Sequence, residues 1–273
     1  MALPLSPQVF AIFRALIEDH SGMHYGPEDR ELFAEKVSAR AIDEGFASLL
    51  DYYYFLRYDD GGRDELERLM EALVVNETYF FREREQLEWL VDHFLVPRCR
   101  AGKRPRIWSA ACATGEEPLT LTMLLADRGY DGAVEIVASD LSQRALDRAR
   151  AGLFSPRSLR HAARPELAAR YLVEEQGRLR VNPELVARVD WRRLNLSSAT
   201  EVAALGRFDA ILCRNVLIYF SDLTTQRVLE SLGGRLTDDG VLLVGVSESL
   251  LRFGPAVACE EHGGVFVYRP VRP

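Results

Sequence analysis

Hydrophobic residues recur with the period of an α-helix along the first 80 residues. The clearest set consists of Val9, Ile12, Phe13, Leu16 and Ile17. A Ser-Pro pair precedes this set and Gly22 follows it, which is typical of a capped amphipathic helix. The same pattern predicts helices over 28–44 and 48–57 and from Asp64 onward, with no strands between them. This region is therefore predicted to form a small helical bundle.

After residue 104 the pattern changes to short apolar runs that alternate with helical periodicity. Strands are predicted at 106–111, 134–138, 189–194, 208–213, 241–246 and 265–268, and helices at 116–127, 143–151 and 224–236. Such alternation predicts an α/β fold, with a doubly wound, mostly parallel sheet and helices on both of its faces. Residues 152–194 interrupt the alternation and are expected to form a small inserted subdomain. Ligands of such sheets bind beyond the carboxyl ends of the strands.

The composition is that of a globular protein rather than a disordered or fibrous one. The chain has 273 residues, of which 48% are hydrophobic and 27% charged. Its apolar runs fall short of the roughly 20 residues that span a bilayer, and its start lacks the basic region of a signal peptide. The spacing of the four cysteines fits neither a zinc site nor a disulfide framework. We therefore expect a cytoplasmic protein with free thiols, no metal and no insertion into the membrane.

The charge is unevenly spread along the chain. Residues 1–80 carry 7 Lys/Arg and 16 Asp/Glu, a net charge of −9, whereas residues 81–273 have a net charge of +2. This shift predicts a boundary near residue 80, between a helical domain (1–80) and an α/β domain (81–273). The overall net charge of −7 argues against a nucleic-acid partner.

The first strand-to-helix turn, Ser109–Pro118, predicts the kind of ligand. It lacks both the GxGxxG pattern of dinucleotide sites and the GK[ST] pattern of phosphate loops. Glu116 and Glu117 lie at the predicted helix start, where two carboxylates would repel a pyrophosphate and attract a cation. S-adenosylmethionine carries a sulfonium and an ammonium and suits such a site. The alternative is that both residues only complement the helix dipole.

Two further positions favour a nucleoside. Asp140 follows the second strand, where a carboxylate can accept both ribose hydroxyls, although it can equally cap the next helix. Asn195 and Leu196 follow the strand at 189–194. The amide can donate to and accept from an adenine edge and the leucine offers an apolar wall, or the asparagine simply forms a turn.

Polar residues also leave the central strand within the apolar run Cys213–Phe220. Arg214 and Asn215 stand where a reactive site is expected. Tyr219 would share a face with Asn215 if the chain turns helically there. Alternatively, Tyr219 is a core tyrosine with a satisfied hydroxyl.

Six stretches together resemble the chemotaxis receptor methyltransferase family, CheR. They run in the family order and comprise Asn76–Arg82, Ser109–Pro118, Ser139–Asp140, Cys213–Phe220, Thr225–Arg227 and Gly245–Leu250. The resemblance covers nearly the whole chain. It implies a class I methyltransferase-like sheet with a small inserted β-subdomain, preceded by an all-α domain that serves receptor recognition and acts as a lid.

The resemblance also implies an activity. Members of the family transfer a methyl group from S-adenosylmethionine to glutamate carboxylates of chemoreceptors. The products are glutamyl methyl esters and S-adenosylhomocysteine, and the modification serves adaptation in chemotaxis-like signalling. The implied partners are the cytoplasmic methylation helices of chemoreceptors. By resemblance, Arg82 and Tyr219 are the candidates for the reaction centre. The implied cofactor-binding residues are Asn76, Thr78, Arg82, Glu116, Asp140, Asn195, Leu196, Arg214 and Asn215.

Two features depart from the family pattern. Some members dock on a receptor tail through a glycine-rich loop, but the corresponding stretch 172–179 holds one glycine and is short, so we expect no tail-peptide tether. Basic residues of the helical domain are expected to meet the acidic methylation helix. Because that domain is acidic here, only a local face with Lys36 and Arg40 is left for this role.

Three other functions remain open at this point. The chain can be a small-molecule methyltransferase with the helical domain as a lid. It can also be a non-catalytic adaptor that binds S-adenosylmethionine and a signalling partner. A nicotinamide dehydrogenase is disfavoured by the missing GxGxxG pattern.

Overall fold

A computed structural model describes residues 3–160, 165–253 and 257–270. The chain divides into two compact units. The helical unit comprises the residues up to Val75 together with Tyr219–Thr224, and the α/β unit comprises Asn76–Ile218 and the residues from Thr225 onward. All four cysteines are free thiols, as predicted. Over the described residues, no helix combines the length and the apolar character needed to cross a membrane.

The helical unit contains the helices that the apolar periodicity predicts. They are α1 (Pro7–Ser21), α2 (Arg30–Asp43), α3 (Leu49–Tyr58) and α4 (Gly62–Leu73). The hydroxyl of Ser6 caps α1 by accepting a hydrogen bond from the amide of Val9 at 3.2 Å, and Gly22 ends the helix in the left-handed conformation. Helix α2 begins two residues later than predicted because Pro27–Asp29 forms a separate 3₁₀ turn.

A buried carboxylate links the helices of this unit. The side chain of Glu65 is 1% exposed and accepts hydrogen bonds from Arg40 Nε at 2.9 Å and from the Tyr52 hydroxyl at 2.7 Å. Burial raises the pKa of Tyr52, and the same carboxylate raises the pKa of Arg40. Lys36 Nζ donates to the Leu73 carbonyl at 3.2 Å, and burial lowers the pKa of Lys36. Both basic side chains of the expected face, Lys36 and Arg40, therefore make hydrogen bonds within the unit, and a role of this face in substrate binding stays a prediction.

The α/β unit is organised around a seven-stranded sheet in the order β6-β2-β1-β7-β8-β10-β9. Neighbouring strands from β6 to β8 are parallel, whereas β10 is antiparallel to both β8 and β9. The prediction of a mostly parallel sheet is therefore confirmed. The strands are β1 (Arg106–Ala110), β2 (Glu135–Asp140), β6 (Val189–Arg193), β7 (Phe208–Cys213), β8 (Leu236–Val244), β9 (Val257–His262) and β10 (Val265–Pro270).

One predicted boundary of the sheet is wrong. The helix predicted at 224–236 ends at Gly233, and β8 begins at Leu236 instead of Val241. Leu236 pairs with Phe208 and Val241 pairs with Ala210, so the intervening residues bulge out of the parallel ladder. The acidic turn Asp238–Gly240 therefore lies inside the strand and does not mark its start. Strand β9 was not predicted from the sequence.

The α/β unit also contains helices between its strands. These helices are α5 (Arg84–Trp89), α6 (Val96–Arg100), α7 (Glu116–Asp127), α8 (Gln143–Ala151), α9 (Pro165–Tyr171), α10 (Pro183–Val186), α11 (Ala199–Ala204) and α12 (Asp222–Gly233). Helices α7 and α8, which follow the first and second strands, have the predicted bounds. Helix α12 starts in the segment that groups with the helical unit. A π-helical stretch, Leu90–Leu95, joins α5 to α6. The sequence periodicity did not reveal α5 or α6.

A second, three-stranded antiparallel sheet lies between α8 and β6. It consists of β3 (Leu153–Phe154), β4 (Leu172–Glu175) and β5 (Arg178–Val181), in the order β3-β5-β4. Gln176 and Gly177 connect β4 to β5 with φ of 51° and 72°, which is a two-residue hairpin turn. The small sheet ends before β6, so it occupies a shorter stretch than 152–194.

Candidate functional site

The candidate site lies at the carboxyl ends of β2, β1 and β7. These three strands are adjacent and parallel, so the loops that follow them emerge at one edge of the sheet. After β1 the chain forms β2 and β6 on one side of β1, and it then returns to form β7 and β8 on the other side. Such a reversal of strand order opens a crevice in which ligands bind.

The loop between β1 and α7 is tightly constrained. Gly115 has φ of 92°, and a Cβ atom there would lie 2.7 Å from the Ala149 Cβ and 2.8 Å from the Trp191 ring. Only glycine fits this conformation and this space. The amide of Ala113 donates to Asp140 Oδ2 at 2.8 Å, and the amide of Ser142 donates to Asp140 Oδ1 at 2.9 Å. Asp140 therefore joins the β1 loop to the start of α8.

The two glutamates at the start of α7 have different surroundings. Glu117 accepts hydrogen bonds from the Ser109 hydroxyl at 2.6 Å and from Arg214 Nη1 at 2.7 Å, so its charge is balanced within the protein. Glu116 is 2% exposed and accepts a hydrogen bond from the Thr114 hydroxyl at 2.7 Å. Burial raises the pKa of Glu116. Among the described residues, no ion pair joins Glu116 to a basic side chain.

Arg214 is the centre of a buried network beyond β7. Its side chain is 1% exposed, and its guanidinium donates to Gln86 Oε1 at 2.8 Å, to Glu117 Oε2 at 2.7 Å and to Glu83 Oε2 at 3.0 Å. It also donates to the carbonyl of Arg82 at 2.8 Å. Arg214 therefore connects the end of the central strand with α7 and with the segment that precedes α5.

Asn215 continues this network. It adopts φ of 59°, its amide nitrogen Nδ2 donates to Glu83 Oε1 at 3.1 Å, and its backbone amide donates to Glu248 Oε2 at 2.6 Å. Glu248 also accepts from the backbone amide of Gly245 at 2.8 Å. A Cβ atom at Gly245 would lie 2.5 Å from Asn215 Nδ2 and 2.8 Å from Glu248 Oε2. The turn after β8 therefore closes around Asn215.

The segment Asn76–Arg82 runs along the α/β unit as extended chain and turn. The amide of Phe80 donates to the Ser158 carbonyl at 2.8 Å, and the amide of Phe81 donates to the Thr120 hydroxyl at 3.1 Å. Arg82 Nη1 donates to the Glu77 carbonyl at 3.0 Å. Asn76 and Thr78 are half-buried. The segment is thus held on α7 and on the turn Pro156–Ser158.

The remaining candidates are Asn195, Leu196 and Tyr219. Asn195 Oδ1 accepts hydrogen bonds from the amide and hydroxyl of Ser197 at 3.0 and 2.8 Å, which forms the predicted turn, and Leu196 is buried. Tyr219 groups with the helical unit, where its carbonyl accepts a hydrogen bond from the His24 amide at 2.8 Å. Asn215 and Tyr219 do not share a helical face, because Asn215 is left-handed and only Leu217–Tyr219 forms a short 3₁₀ turn.

Backbone strain concentrates in this part of the molecule. Six described residues other than glycine have positive φ, and five of them are Phe81, Glu83, Ala111, Ala113 and Asn215. The sixth, Gln176, belongs to the hairpin turn of the small sheet. Such conformations cost about 1–3 kcal/mol each and cluster at functional sites. The strain therefore marks loops that the sequence motifs single out, together with Glu83, which directly follows one of these motifs.

Sequence reasoning missed several residues that build the site. Glu83 and Gln86 hold Arg214 and Asn215 in place, but α5 was not predicted and neither residue stands at a strand end. The signal for Glu248 was present, because it lies within the stretch Gly245–Leu250 that resembles the family. Ser158 gave no signal, since its hydrogen bond to the Glu116 carboxylate depends on the tertiary fold.

Comparison with known proteins identifies the family of the chain. Residues 8–74 match the family described as "CheR methyltransferase, all-alpha domain", and residues 76–260 match "CheR methyltransferase, SAM binding domain". The chain belongs to the CheR methyltransferase family. It is an S-adenosylmethionine-dependent methyltransferase with a class I methyltransferase-like α/β unit and an all-α unit before it.

Curated relatives span most of the chain. It is 34% identical to "Chemotaxis protein methyltransferase 2" of Vibrio cholerae over 248 residues, which cover 89% of this chain and 86% of the relative. It is 34% identical to "Chemotaxis protein methyltransferase 1" of Pseudomonas aeruginosa over 250 residues, or 88% and 90% of the two chains. It is also 34% identical to "Chemotaxis protein methyltransferase" of Escherichia coli K12 over 255 residues, or 90% and 86%.

The residues of the site fit a positively charged methyl donor. Glu116 is a buried carboxylate that receives hydroxyl hydrogen bonds, and the described part of the chain supplies no cation to it. A bound cation would offset the cost of burying this charge. Glu117, by contrast, is already paired with Arg214 and is not free to receive a ligand. At the acidic helix start, one carboxylate is therefore paired with a cation inside the described protein and the other is not.

Proposed function

We propose that this methyltransferase transfers methyl groups to glutamate side chains on the cytoplasmic methylation helices of chemoreceptors, which gives glutamyl methyl esters. The observation that carries the proposal is the match to both parts of the CheR family, in order, over 8–74 and 76–260. Relatives named chemotaxis protein methyltransferase align over about nine-tenths of the chain and support the same substrate class.

The chemistry needs no strong base on the protein. A glutamate with a pKa of about 4.3 is already ionised at neutral pH. S-adenosylmethionine, when bound, supplies a methyl group on an electron-poor sulfonium. The protein then has to hold donor and carboxylate in line and exclude water, which can supply roughly 7–11 kcal/mol of the barrier.

Each candidate residue receives a role in this proposal. Glu116 holds the positive charge of the cofactor, Asp140 its ribose, and Asn195 and Leu196 its adenine. Asn76 and Thr78 line the cofactor from the segment before Arg82. The roles of Glu116, Asp140, Asn195 and Leu196 follow from their charge, hydrogen-bonding capacity or apolar character at the carboxyl ends of β1, β2 and β6, and those of Asn76 and Thr78 are implied by the family.

Arg82 and Tyr219 are proposed to act on the substrate. A guanidinium can hold a carboxylate by two parallel hydrogen bonds, and the Arg82 side chain has only one hydrogen bond to the described protein, to the Glu77 carbonyl. The Tyr219 hydroxyl is proposed to orient the attacking glutamate. Arg214 and Asn215 act as positioning residues, because their donors are occupied by Glu83, Glu117, Gln86 and Glu248.

A methylation assay tests the function. The full-length protein is incubated with methyl-labelled S-adenosylmethionine and a cytoplasmic chemoreceptor fragment, and label released by mild base is measured. Mass spectrometry then locates the modified residues. We expect base-labile esters on glutamates and none on a fragment whose acceptor glutamates are replaced by glutamine. Label that appears only on small molecules would contradict the proposal and favour a small-molecule methyltransferase.

A binding measurement separates the remaining alternative. Calorimetry with S-adenosylhomocysteine should show tight binding by the wild-type protein and no binding of NAD. If S-adenosylhomocysteine binds and no chemoreceptor fragment or small molecule is methylated, the chain is a cofactor-binding adaptor. An Arg82→Ala variant that retains full methyl transfer would contradict the role of Arg82.

A further inference from the structure

An acidic substrate segment needs a basic surface, and the two basic side chains expected to provide it in the helical unit are hydrogen-bonded within that unit. Arg40 bonds to Glu65 and Glu44, and Lys36 donates to the Leu73 carbonyl. The helical unit is also strongly acidic, since residues 1–80 have a net charge of −9. Like charges would therefore oppose the approach of an acidic helix to this surface.

The basic residues of the chain are concentrated elsewhere. Residues 141–195 contain 12 arginines and 6 Asp/Glu, a net charge of +6, in a chain whose total is −7. This stretch includes α8, the small sheet and β6. Many of its arginines are already paired; Arg150 pairs with Asp147, Arg188 with Asp131 and Arg192 with Asp190. Only arginines that are not tied up in such pairs and that lie close to the candidate site can bind a substrate there.

The turn Pro156–Ser158 brings this basic stretch to the site. The Ser158 carbonyl accepts the amide of Phe80 at 2.8 Å, and the Ser158 side chain bonds to the Glu116 carboxylate. The Ser155 hydroxyl caps the turn by accepting the amide of Arg157 at 3.2 Å. Arg157 is therefore adjacent in sequence to a residue that touches the proposed cofactor carboxylate. Its side chain is exposed and makes no hydrogen bond or ion pair within the described residues.

Arg160 lies near Arg82, at the ring of Tyr79. Its guanidinium lies 4.4 Å from the ring centre of Tyr79, and the Arg82 guanidinium lies 5.7 Å from the same ring. Arg160 Nη2 also contacts Glu77 Oε1 at 2.9 Å, between side chains that are 51% and 62% exposed. This exposed pair contributes little binding energy, so Arg160 can exchange Glu77 for another carboxylate. Two arginines thus lie at one tyrosine ring, and Arg157 precedes Arg160 by three residues in the same stretch.

We infer that Arg157 and Arg160 form a docking surface for acidic residues that flank the methylated glutamate. The inference rests on the proposed function and adds a substrate preference to it. The preferred substrate is an acidic segment in which the target glutamate has further Asp or Glu neighbours. Tyr79 holds Arg160 by a cation–π contact, and this contact places the Arg160 guanidinium against the segment that carries Arg82. The flanking carboxylates bind Arg157 and Arg160 while the target glutamate reaches Arg82.

Two synthetic peptides test this surface. Each carries one acceptor glutamate and a fluorescent label, and the flanking positions are Asp/Glu in one peptide and Asn/Gln in the other. Binding to the full-length protein is measured by fluorescence anisotropy with saturating S-adenosylhomocysteine, and methyl ester formation is measured separately. We expect the acidic peptide to bind at least about tenfold more tightly, and increasing salt to weaken it, because the contacts are exposed ion pairs.

Charge reversal identifies the residues. Arg157→Glu and Arg160→Glu should each weaken binding of the acidic peptide by about 3- to 10-fold, with binding of S-adenosylhomocysteine changed by less than about twofold. The matched control is Arg104→Glu, an exposed arginine that precedes β1 at the opposite end of the strand. The double variant should bind a peptide with Lys flanks better than the wild type does. If these arginines served folding alone, the double variant would not change its preference from acidic flanks to Lys flanks.

The outcomes for the docking surface and for the activity are distinct. Equal binding of the two peptides, or equal effects of Arg157→Glu and Arg104→Glu, would overturn the docking surface even if glutamates are methylated. Charge-dependent binding without ester formation on any peptide or receptor fragment would overturn the proposed activity and leave the surface supported. Thermal unfolding of each variant verifies that it is folded under the assay conditions.

Discussion

Each unit of this protein buries an arginine–carboxylate network, and the two networks differ in the backbone that surrounds them. In the helical unit, Arg40, Glu65 and Tyr52 join regular helices. In the α/β unit, Arg214 joins Glu83, Glu117 and Gln86 among loops with left-handed residues. Within the described helical unit, positive φ occurs only at glycines.

The difference separates a network that stabilises a fold from one that positions a site. The carboxylate of Glu65 connects helices whose conformations are already favourable, so the backbone is relaxed around it. The Arg214 network holds Glu83 and Asn215, both of which are left-handed, in conformations that their neighbours must enforce. Strain of this kind indicates that the loops are arranged for a ligand rather than for local stability.

The largest expected effect tests the Arg214 network. Arg214→Met removes the buried cation from the half-buried carboxylates of Glu83 and Glu117, which should lower the free energy of unfolding by about 3–5 kcal/mol. Affinity for S-adenosylhomocysteine should fall with it, because α7 and the segment before α5 lose their common partner. Urea unfolding followed by circular dichroism and calorimetry measure the two effects. A variant with wild-type stability and affinity would show that the network has no positioning role.

A second substitution tests the strain of the cofactor loop. Gly115→Ala places a Cβ atom within 3 Å of Ala149 and Trp191 in a left-handed residue, so we expect a loss of roughly 2–4 kcal/mol in the free energy of unfolding. The matched control is Gly129→Ala, which has φ of 77° and open space around its Cβ position. The control should lose only about 1 kcal/mol. Equal losses in the two variants would show that packing at Gly115 is unimportant.

Disrupting the Arg40–Glu65–Tyr52 network should lower stability less than Arg214→Met does, and it should leave cofactor affinity unchanged. Arg40→Met leaves Glu65 with the Tyr52 hydroxyl and with Arg68, whose Nη1 lies 3.5 Å from it, so the carboxylate keeps partners. We expect a loss of about 1–3 kcal/mol in the free energy of unfolding and no change in S-adenosylhomocysteine affinity. A decrease in cofactor affinity comparable to that of Arg214→Met would remove the distinction between the two networks.

The smallest expected effect is the pH dependence that Glu116 produces. Because burial raises the pKa of Glu116, the folded protein keeps the Glu116 proton at pH values where the unfolded chain has already lost it. The free energy of unfolding therefore decreases as pH rises through that window. A bound cation favours the ionised form, so affinity for S-adenosylmethionine should rise with pH over the same window. Glu116→Gln should abolish this dependence and weaken binding at pH 7 by about tenfold, or about 1.4 kcal/mol. Calorimetry across pH 4–7 measures it, and a pH-dependent affinity that persists in Glu116→Gln would contradict the role.

The elements with strong periodicity could be predicted closely from the sequence. Helices α7 and α8 and strand β7 have the predicted bounds, because caps and apolar runs are local signals. The predicted start of strand β8 is five residues too late, since a bulge placed polar residues inside the strand. The short helix α5 was missed, although it provides Gln86 and follows Glu83. Its role is visible only through contacts with Arg214, which is 128 residues away from Gln86.

By itself, the sequence determined the two-part organisation, the mostly parallel sheet and the class of cofactor. These depend on periodicity, charge composition and short motifs, all of which are local properties of the chain. Only the tertiary structure decided which charges are neutralised inside the protein. It pairs Glu117 with Arg214 and Arg40 with Glu65, and it leaves Glu116 and Arg157 without such partners among the described residues. Pairing depends on side chains that meet across long sequence separations, and no local pattern specifies those distances.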